Sequence, residues 1–153
     1  MKLFLYTVLG IVLIIGIMLA ILSIASRKQP ELGLINGQLR PCPTSPNCVC
    51  SEVLVEGAFV EPLSYTTTAE DAWRNIKQAI VDTGGVVVTE QDGYLHGRYE
   101  TPLMRYIDDV ELRLDANHQV IHIRSASRVG QSDLGANRKR VARIRAAFAK
   151  QSR

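Results

Sequence analysis

The chain has 153 residues, 22% charged and 46% hydrophobic, which excludes two full domains with linkers and excludes wholesale disorder. Its formal net charge of +3 hides two opposed regions: Ser26 to Ala136 carries ten basic and fifteen acidic residues, Asn137 to Arg153 seven basic and none acidic. A basic terminal patch on an acidic body is not the whole-face basicity of a nucleic-acid binder, so no nucleic acid is expected as a partner.

Leu3 to Ala25 is an almost unbroken apolar run with no charged side chain. A helix of that length covers the roughly 30 Å hydrocarbon core of a bilayer, and it satisfies its own backbone there. The expectation is a membrane anchor over residues 1–28. A cleaved signal peptide is the other reading, because Ser23-Ile24-Ala25 has a small-x-small pattern, although the run exceeds the usual 7–15 residue apolar stretch. Lys2 flanks one end and Arg27 and Lys28 the other, so counting positive charges does not settle orientation.

Residues 29–57 read as a linker followed by a cysteine and proline loop. All three cysteines fall in the stretch Cys42-Pro43-Thr44-Ser45-Pro46-Asn47-Cys48-Val49-Cys50. A Cys42–Cys48 disulfide would close a small loop and would persist only in an oxidising compartment. Cys50 is then left as a thiol or competes for Cys48. Three reduced thiols, or a zinc site completed by His96, His118 or His122, are the other readings; no metal or other cofactor is expected.

Residues 58–153 read as an α+β domain. Phe59 to Leu63 is a short extended segment. Thr67 and Glu70 offer a capping box, and Ala72, Trp73, Ile76, Ala79 and Ile80 follow at helical spacing up to Gly84-Gly85. Four strand-like runs come next: Val86–Glu90, Tyr94–Glu100, Tyr106–Leu114 and Gln119–Ser125, with Asp92-Gly93 and Ala116-Asn117-His118 as turns. Val141, Ile144 and Phe148 mark a last helix starting near Ser132-Asp133 or Asn137. The expected fold is an antiparallel sheet of about four strands with two helices packed on one face.

Strand alternation places Val110, Leu112, Ile121 and Ile123 towards the helices. It leaves His96, Arg98, Asp109, Glu111, Arg113, His122 and Arg124 on the other face. That face reads either as solvated cross-strand ion pairs or as a polar ligand surface. Asp109, Glu111, Arg124, Arg128 and Asn137 are the candidate binding constellation, with Arg124 forked between the two carboxylates. The glycine-bearing segment Ser125 to Arg140 reads as a capped connector or an anion contact, and it is neither a P-loop nor a dinucleotide fingerprint.

Two stretches carry a family likeness. One is Cys42-Pro43-Thr44-Ser45-Pro46-Asn47-Cys48-Val49. The other runs from Arg105-Tyr106-Ile107-Asp108-Asp109-Val110-Glu111 through Ser125-Ala126-Ser127-Arg128-Val129-Gly130 to Ser132-Asp133-Leu134-Gly135-Ala136-Asn137-Arg138-Lys139-Arg140. Together the chain resembles the uncharacterised family called domain-of-unknown-function 1499. The resemblance implies a membrane-anchored or exported bacterial protein with an extracytoplasmic domain, and it brings no established activity. Cys50 stands where the family pattern usually has Ser.

The function expected is a non-enzymatic binding or accessory domain of the cell envelope, anchored by one span in the inner membrane and facing the periplasm. Its partner would be an envelope protein or a polar ligand; the oligomeric state is left open. The alternative is an enzyme using Asp108, Asp109 or Glu111 with His96 or His122, for which one carboxylate would need a raised pKa.

Overall fold

The computed structural model describes residues 1–52 and 55–151. Helix α1 (Lys2–Ser26) is the apolar run, long and apolar enough to cross a membrane. A two-stranded hairpin follows, β1 (Leu34–Ile35) and β2 (Gln38–Leu39), turning at Asn36-Gly37, both at positive φ as a tight hairpin turn requires. Then come β3 (Cys48–Cys50), β4 (Leu63–Ser64) and α2 (Ala69–Asp82). The chain continues through β5 (Val86–Gln91), β6 (Tyr94–Glu100), β7 (Ile107–Asp115) and β8 (Val120–Ser127), and closes on α3 (Ala136–Gln151).

The main sheet has six strands rather than the four expected, in the order β3-β8-β7-β6-β5, with β4 also on β8. Strands β5 to β8 form the antiparallel meander that alternation indicates. The two extra strands lie end to end along the outer edge of β8: Cys48–Cys50 opposite Arg124–Ala126, and Leu63–Ser64 opposite Val120–Ile121. Each is too short to show a period of two, so neither is legible as a strand without the edge it covers. The segment 29–57 is therefore not a free linker, since it supplies β1, β2 and β3.

Helices α2 and α3 lie against one face of the sheet. Ala72, Ile76, Ala79 and Ile80 of α2 and Val141, Ile144 and Phe148 of α3 meet Leu95, Val110, Leu112, Ile121 and Ile123 in one core. The cap of α2 is Thr68 and not Thr67: the Thr68 hydroxyl accepts from the Asp71 amide at 3.1 Å, so Glu70 falls one position early for a capping box. Gly85 sits where α2 turns into β5, and a Cβ there would lie 2.6 Å from Tyr99 Cζ and 2.8 Å from Ile80 Cγ2.

Cys42 and Cys48 form a disulfide, and Cys50 is a buried free thiol whose pKa burial raises. The disulfide loop presents Asn47 to the end of β8 and the start of α3. The Asn47 carbonyl accepts from the Ser127 amide (2.9 Å) and from Asn137 Nδ2 (2.8 Å), while its own Nδ2 donates to the Gly130 carbonyl (2.7 Å).

Two stability outcomes follow from this packing, both read as urea midpoints of the full chain in detergent at unchanged slope. Gly85→Ala destabilises by about 1–3 kcal/mol, because the added methyl overpacks Tyr99 and Ile80. Replacing Cys42 and Cys48 together by Ser costs about 2 kcal/mol, the modest figure appropriate to so short a loop.

Candidate functional site

The sheet face turned away from the helices is polar, and its centre is closed to solvent while Arg98 stays exposed. After α1 the chain crosses this face as a strap, residues 27–40, and the β1–β2 hairpin lies against β7 and β8. Beneath it Glu111 is 0% exposed, Asp109 1% and His96 2%. An ionised carboxylate taken out of water costs several kcal/mol unless donors replace its hydration. Each of these carboxylates has such donors.

Glu111 lies opposite Arg124 in the β7–β8 register, and Arg124 Nη1 donates to Glu111 Oε2 at 2.8 Å. Glu111 Oε1 accepts from the Tyr94 hydroxyl and from the Gly33 amide of the strap, both at 2.8 Å. Burial, with the Glu111 carboxylate alongside, pushes the Tyr94 phenol far above its usual pKa and keeps it a donor. Asp109 is held by a two-pronged bond from Arg128, Nε to Oδ2 and Nη2 to Oδ1, each 2.8 Å. On its other side Asp109 Oδ1 lies 2.7 Å from His96 Nε2. Burial alone would raise the Asp109 pKa, yet the His96 and Arg128 hydrogen bonds outweigh it and hold the carboxyl below the usual range. Further along, Arg113 makes a two-pronged pair with Glu52 (2.6 and 3.1 Å), whose other oxygen accepts from the Leu39 amide at 2.7 Å.

The candidate constellation thus divides. Arg124 serves Glu111 and Arg128 serves Asp109, so Arg124 is not forked between the two carboxylates. Asn137 stands on the opposite face. It is the second residue of α3, which packs on the core side, and alternation directs Ser125 and Ser127 to that side while Arg124 points away. There Asn137 Oδ1 accepts from the Ser125 hydroxyl (2.7 Å), and its Nδ2 donates to the Ser127 hydroxyl (3.0 Å).

The core-side cluster has a second member that the sequence reading passed over. Arg140 pairs with Asp108, bonds Asn137, donates to the Ser125 hydroxyl (3.1 Å) and lies 5.0 Å from the centre of the Tyr99 ring. The signal was present in spacing. Asp108 shares parity with Val110 and Leu112, and Arg140 precedes Ile144 and Phe148 at intervals of four, which puts both on buried faces. Tyr94 carried the same signal, since it shares parity with His96 on β6 and bonds Glu111 of β7; Gly33 and Glu52 carried none, because they lie outside the meander.

His96 stands apart from the other two histidines, which both approach Asp115. His96 pairs with Asp109; His122 Nδ1 lies 3.2 Å from the Ser51 hydroxyl; His118 is exposed beside Asp115. Among the described residues no three His, Cys, Asp or Glu side chains gather as a metal site. Between the strap and β5–β6 runs an open cavity of about 440 Å³, lined by Leu32, Gly33, Leu34, Thr89, Tyr94 and His96. His96 is part of its lining, with Nε2 committed to Asp109 and no partner for Nδ1 among the described residues. A second cavity of similar size lies between the disulfide loop and the start of α3.

The family model described as "Protein of unknown function (DUF1499)" matches residues 38–148, which takes in the sheet, both packed helices and the disulfide loop. The chain belongs to that family. No curated protein and no solved structure matches it. The matched span holds every side chain of the two polar clusters and stops short of Gly33 and α1.

Arg124→Ala strands the Glu111 carboxylate and lowers stability by about 3–5 kcal/mol. Glu111→Gln in the same chain recovers part of that loss, measured as the coupling in a double-mutant urea cycle. A pH response also follows. Burial, opposed in part by Glu52 and Asp115 and reinforced by Arg113 and His118, lowers the His122 pKa. A depressed folded pKa means that the unfolded state binds the proton first. The contribution is therefore present above about pH 6.5 and is lost as pH falls from there through the folded value. Thermal melts between pH 7.5 and 5 should show this slope, and His122→Gln should flatten it. Asp109, also depressed, contributes above about pH 4 and is lost only below it.

Proposed function

We propose that the protein is a single-pass component of the inner membrane whose domain faces the periplasm and acts there as a non-enzymatic binding or accessory protein of the cell envelope. The observation that carries this is the covered, charge-paired centre of the polar face. Its carboxylates are matched by arginines and covered by the strap, so they serve to hold a cavity wall and not to exchange protons. The disulfide supports an oxidising compartment, and α1 supports attachment. The ligand space is the cavity under the strap, which offers the Tyr94 ring, backbone of Gly33 and one imidazole nitrogen, a lining suited to a small polar molecule with an apolar part.

One observation favours a second reading, an enzyme. His96 in the lining of a cavity with Asp109 on its Nε2 is the arrangement of an oriented general base. The two readings diverge in one experiment: the full chain is purified in mild detergent from its own envelope, and small molecules that travel with it are identified by native mass spectrometry. For a binding protein, wild type carries a ligand and His96→Ala loses it. For an enzyme, His96→Ala accumulates an unconverted substrate that wild type lacks. Neither form carrying a molecule would overturn the cavity as a ligand site.

Topology is tested separately. A periplasmic alkaline phosphatase fused after Arg153 should be active, and a fluorescent protein that matures only in the cytoplasm should be dark there; the reverse pattern would sink the orientation.

A further inference from the structure

The soluble domain does not hang freely from α1. Leu19, Leu22, Ser23 and Ser26 follow at helical spacing, and this face of α1 is partly or fully covered. Ser26 is buried, its hydroxyl accepting from the Ile107 amide at 3.2 Å, and Arg128 Nη1 donates to the Ser26 and Arg27 carbonyls at 3.3 and 3.4 Å. The contact continues up the helix: the Tyr106 hydroxyl reaches the Leu19 carbonyl at 3.5 Å. Leu19 lies seven residues before Ser26, about 10 Å along the axis. A helix of 25 residues is about 37 Å long against a hydrocarbon core of about 30 Å, so only about 7 Å remains to be shared between its two ends. The level of Leu19 is therefore at or inside the edge of the hydrocarbon.

The turn between β6 and β7, residues 101–106, reaches that level through Tyr106. It presents Leu103, 88% exposed, to no protein partner, with Pro102 exposed beside it. Leu134 is equally exposed, and what singles out Leu103 is its turn, which Tyr106 ties to α1. Tyr106, partly buried with its hydroxyl on a helix carbonyl, has the amphipathic character of a side chain at a membrane interface. The charge around the turn is complementary to an anionic surface. Arg105 is neutralised by Glu100, but Arg27, Lys28 and Lys139 are exposed without an ion pair among the described residues, and Lys139 lines a cleft with Thr101 and Pro102.

We infer that the β6–β7 turn is a second membrane contact, in which Leu103 inserts into the leaflet that α1 leaves and Arg27, Lys28 and Lys139 meet the headgroups of anionic phospholipid. This rests on α1 spanning the bilayer. The contact fixes the domain as a rigid body on the membrane, with the strap and its cavity held near the surface.

The test uses the full chain in vesicles of phosphatidylcholine with one part in about five phosphatidylglycerol, an anionic fraction in the range where basic side chains respond. Leu103→Cys is labelled with an environment-sensitive nitrobenzoxadiazole dye, and quenching by lipid carrying a doxyl group near the headgroup is measured. Cys50 is buried and the other two cysteines are bonded, so the dye reports the new thiol. Val12→Cys, within α1, and Asp92→Cys, in the β5–β6 turn at the other end of the sheet, are labelled in the same way, and each variant is checked for an unchanged melt. Quenching at Leu103 several-fold above that at Asp92 is expected, with Val12 accessible to quencher placed deep in the chains. Leu103 quenched no more than Asp92 while Val12 is quenched overturns the insertion and leaves the anchor standing. Val12 unquenched overturns the anchor and the insertion with it. Replacing phosphatidylglycerol by phosphatidylcholine should reduce quenching at Leu103 and leave Val12 unchanged; equal quenching at Leu103 in both lipids overturns the part given to the cations.

Discussion

Glu111 is the constraint on which the arrangement depends. Its carboxylate has no contact with solvent, and burying such a charge costs several kcal/mol unless protein donors replace water. Arg124 comes from the neighbouring strand, Tyr94 from the strand on the other side, and the third donor, the Gly33 amide, from the strap. A hydrogen bond to a charged group is worth about 1.5–3 kcal/mol. Burial of Leu39, with the partly buried Leu34 and Ile35, adds an apolar gain of at least similar size. The strap is thus laid across the sheet by a buried charge together with the apolar side chains of the hairpin, and its course sets the cavity beside His96.

The segment from Ser125 to Arg140, so dense in polar residues, works as a clasp between the two faces of β7. Consecutive aspartates Asp108 and Asp109 point to opposite sides of that strand. Arg128, at the start of the β8–α3 connection, takes Asp109 on the strap side, and Arg140, within α3, takes Asp108 on the core side. Arg128 then reaches on to the carbonyls that end α1. Asn137 ties the same connection to the disulfide loop through the Asn47 carbonyl. Removing any of these partners leaves a desolvated group without its counterpart, which explains the polarity of the segment without requiring it to bind an anion. It also gives the disulfide a local purpose, since the bond holds Asn47 between β8 and α3 and so closes the loop over the helix start.

If the turn at Leu103 rests in the bilayer, these clusters act together as a mount. The strap is fastened at both ends, by Arg128 to the end of α1 and by Glu52 to the Leu39 amide. A domain held in this way presents its cavity at a constant height and angle above the lipid, which suits a protein that meets membrane-borne or membrane-proximal molecules.

Much of this protein follows from its residues taken locally. The apolar length of α1, the helical stripe of α2, the alternation of β5 to β8 and the paired placement of Glu111 opposite Arg124 all rest on periods of 3.6 or 2 and on turn chemistry, which are properties of a segment by itself. Parity also puts Asp109 and Glu111 on one face and Asp108 on the other, while helical spacing to Ile144 and Phe148 puts Arg140 on the core side. What only the tertiary structure decided is the covering of that polar face. Whether a row of charged residues is solvated or buried depends on what crosses it, and the strap lies far from β7 in sequence, with Gly33 seventy-eight residues before Glu111. Strands β3 and β4 were likewise settled by the free edge of β8, because two or three residues have no period of their own. Local patterns could state which side chains share a face; the long-range path of the chain decided which of those faces would ever meet water.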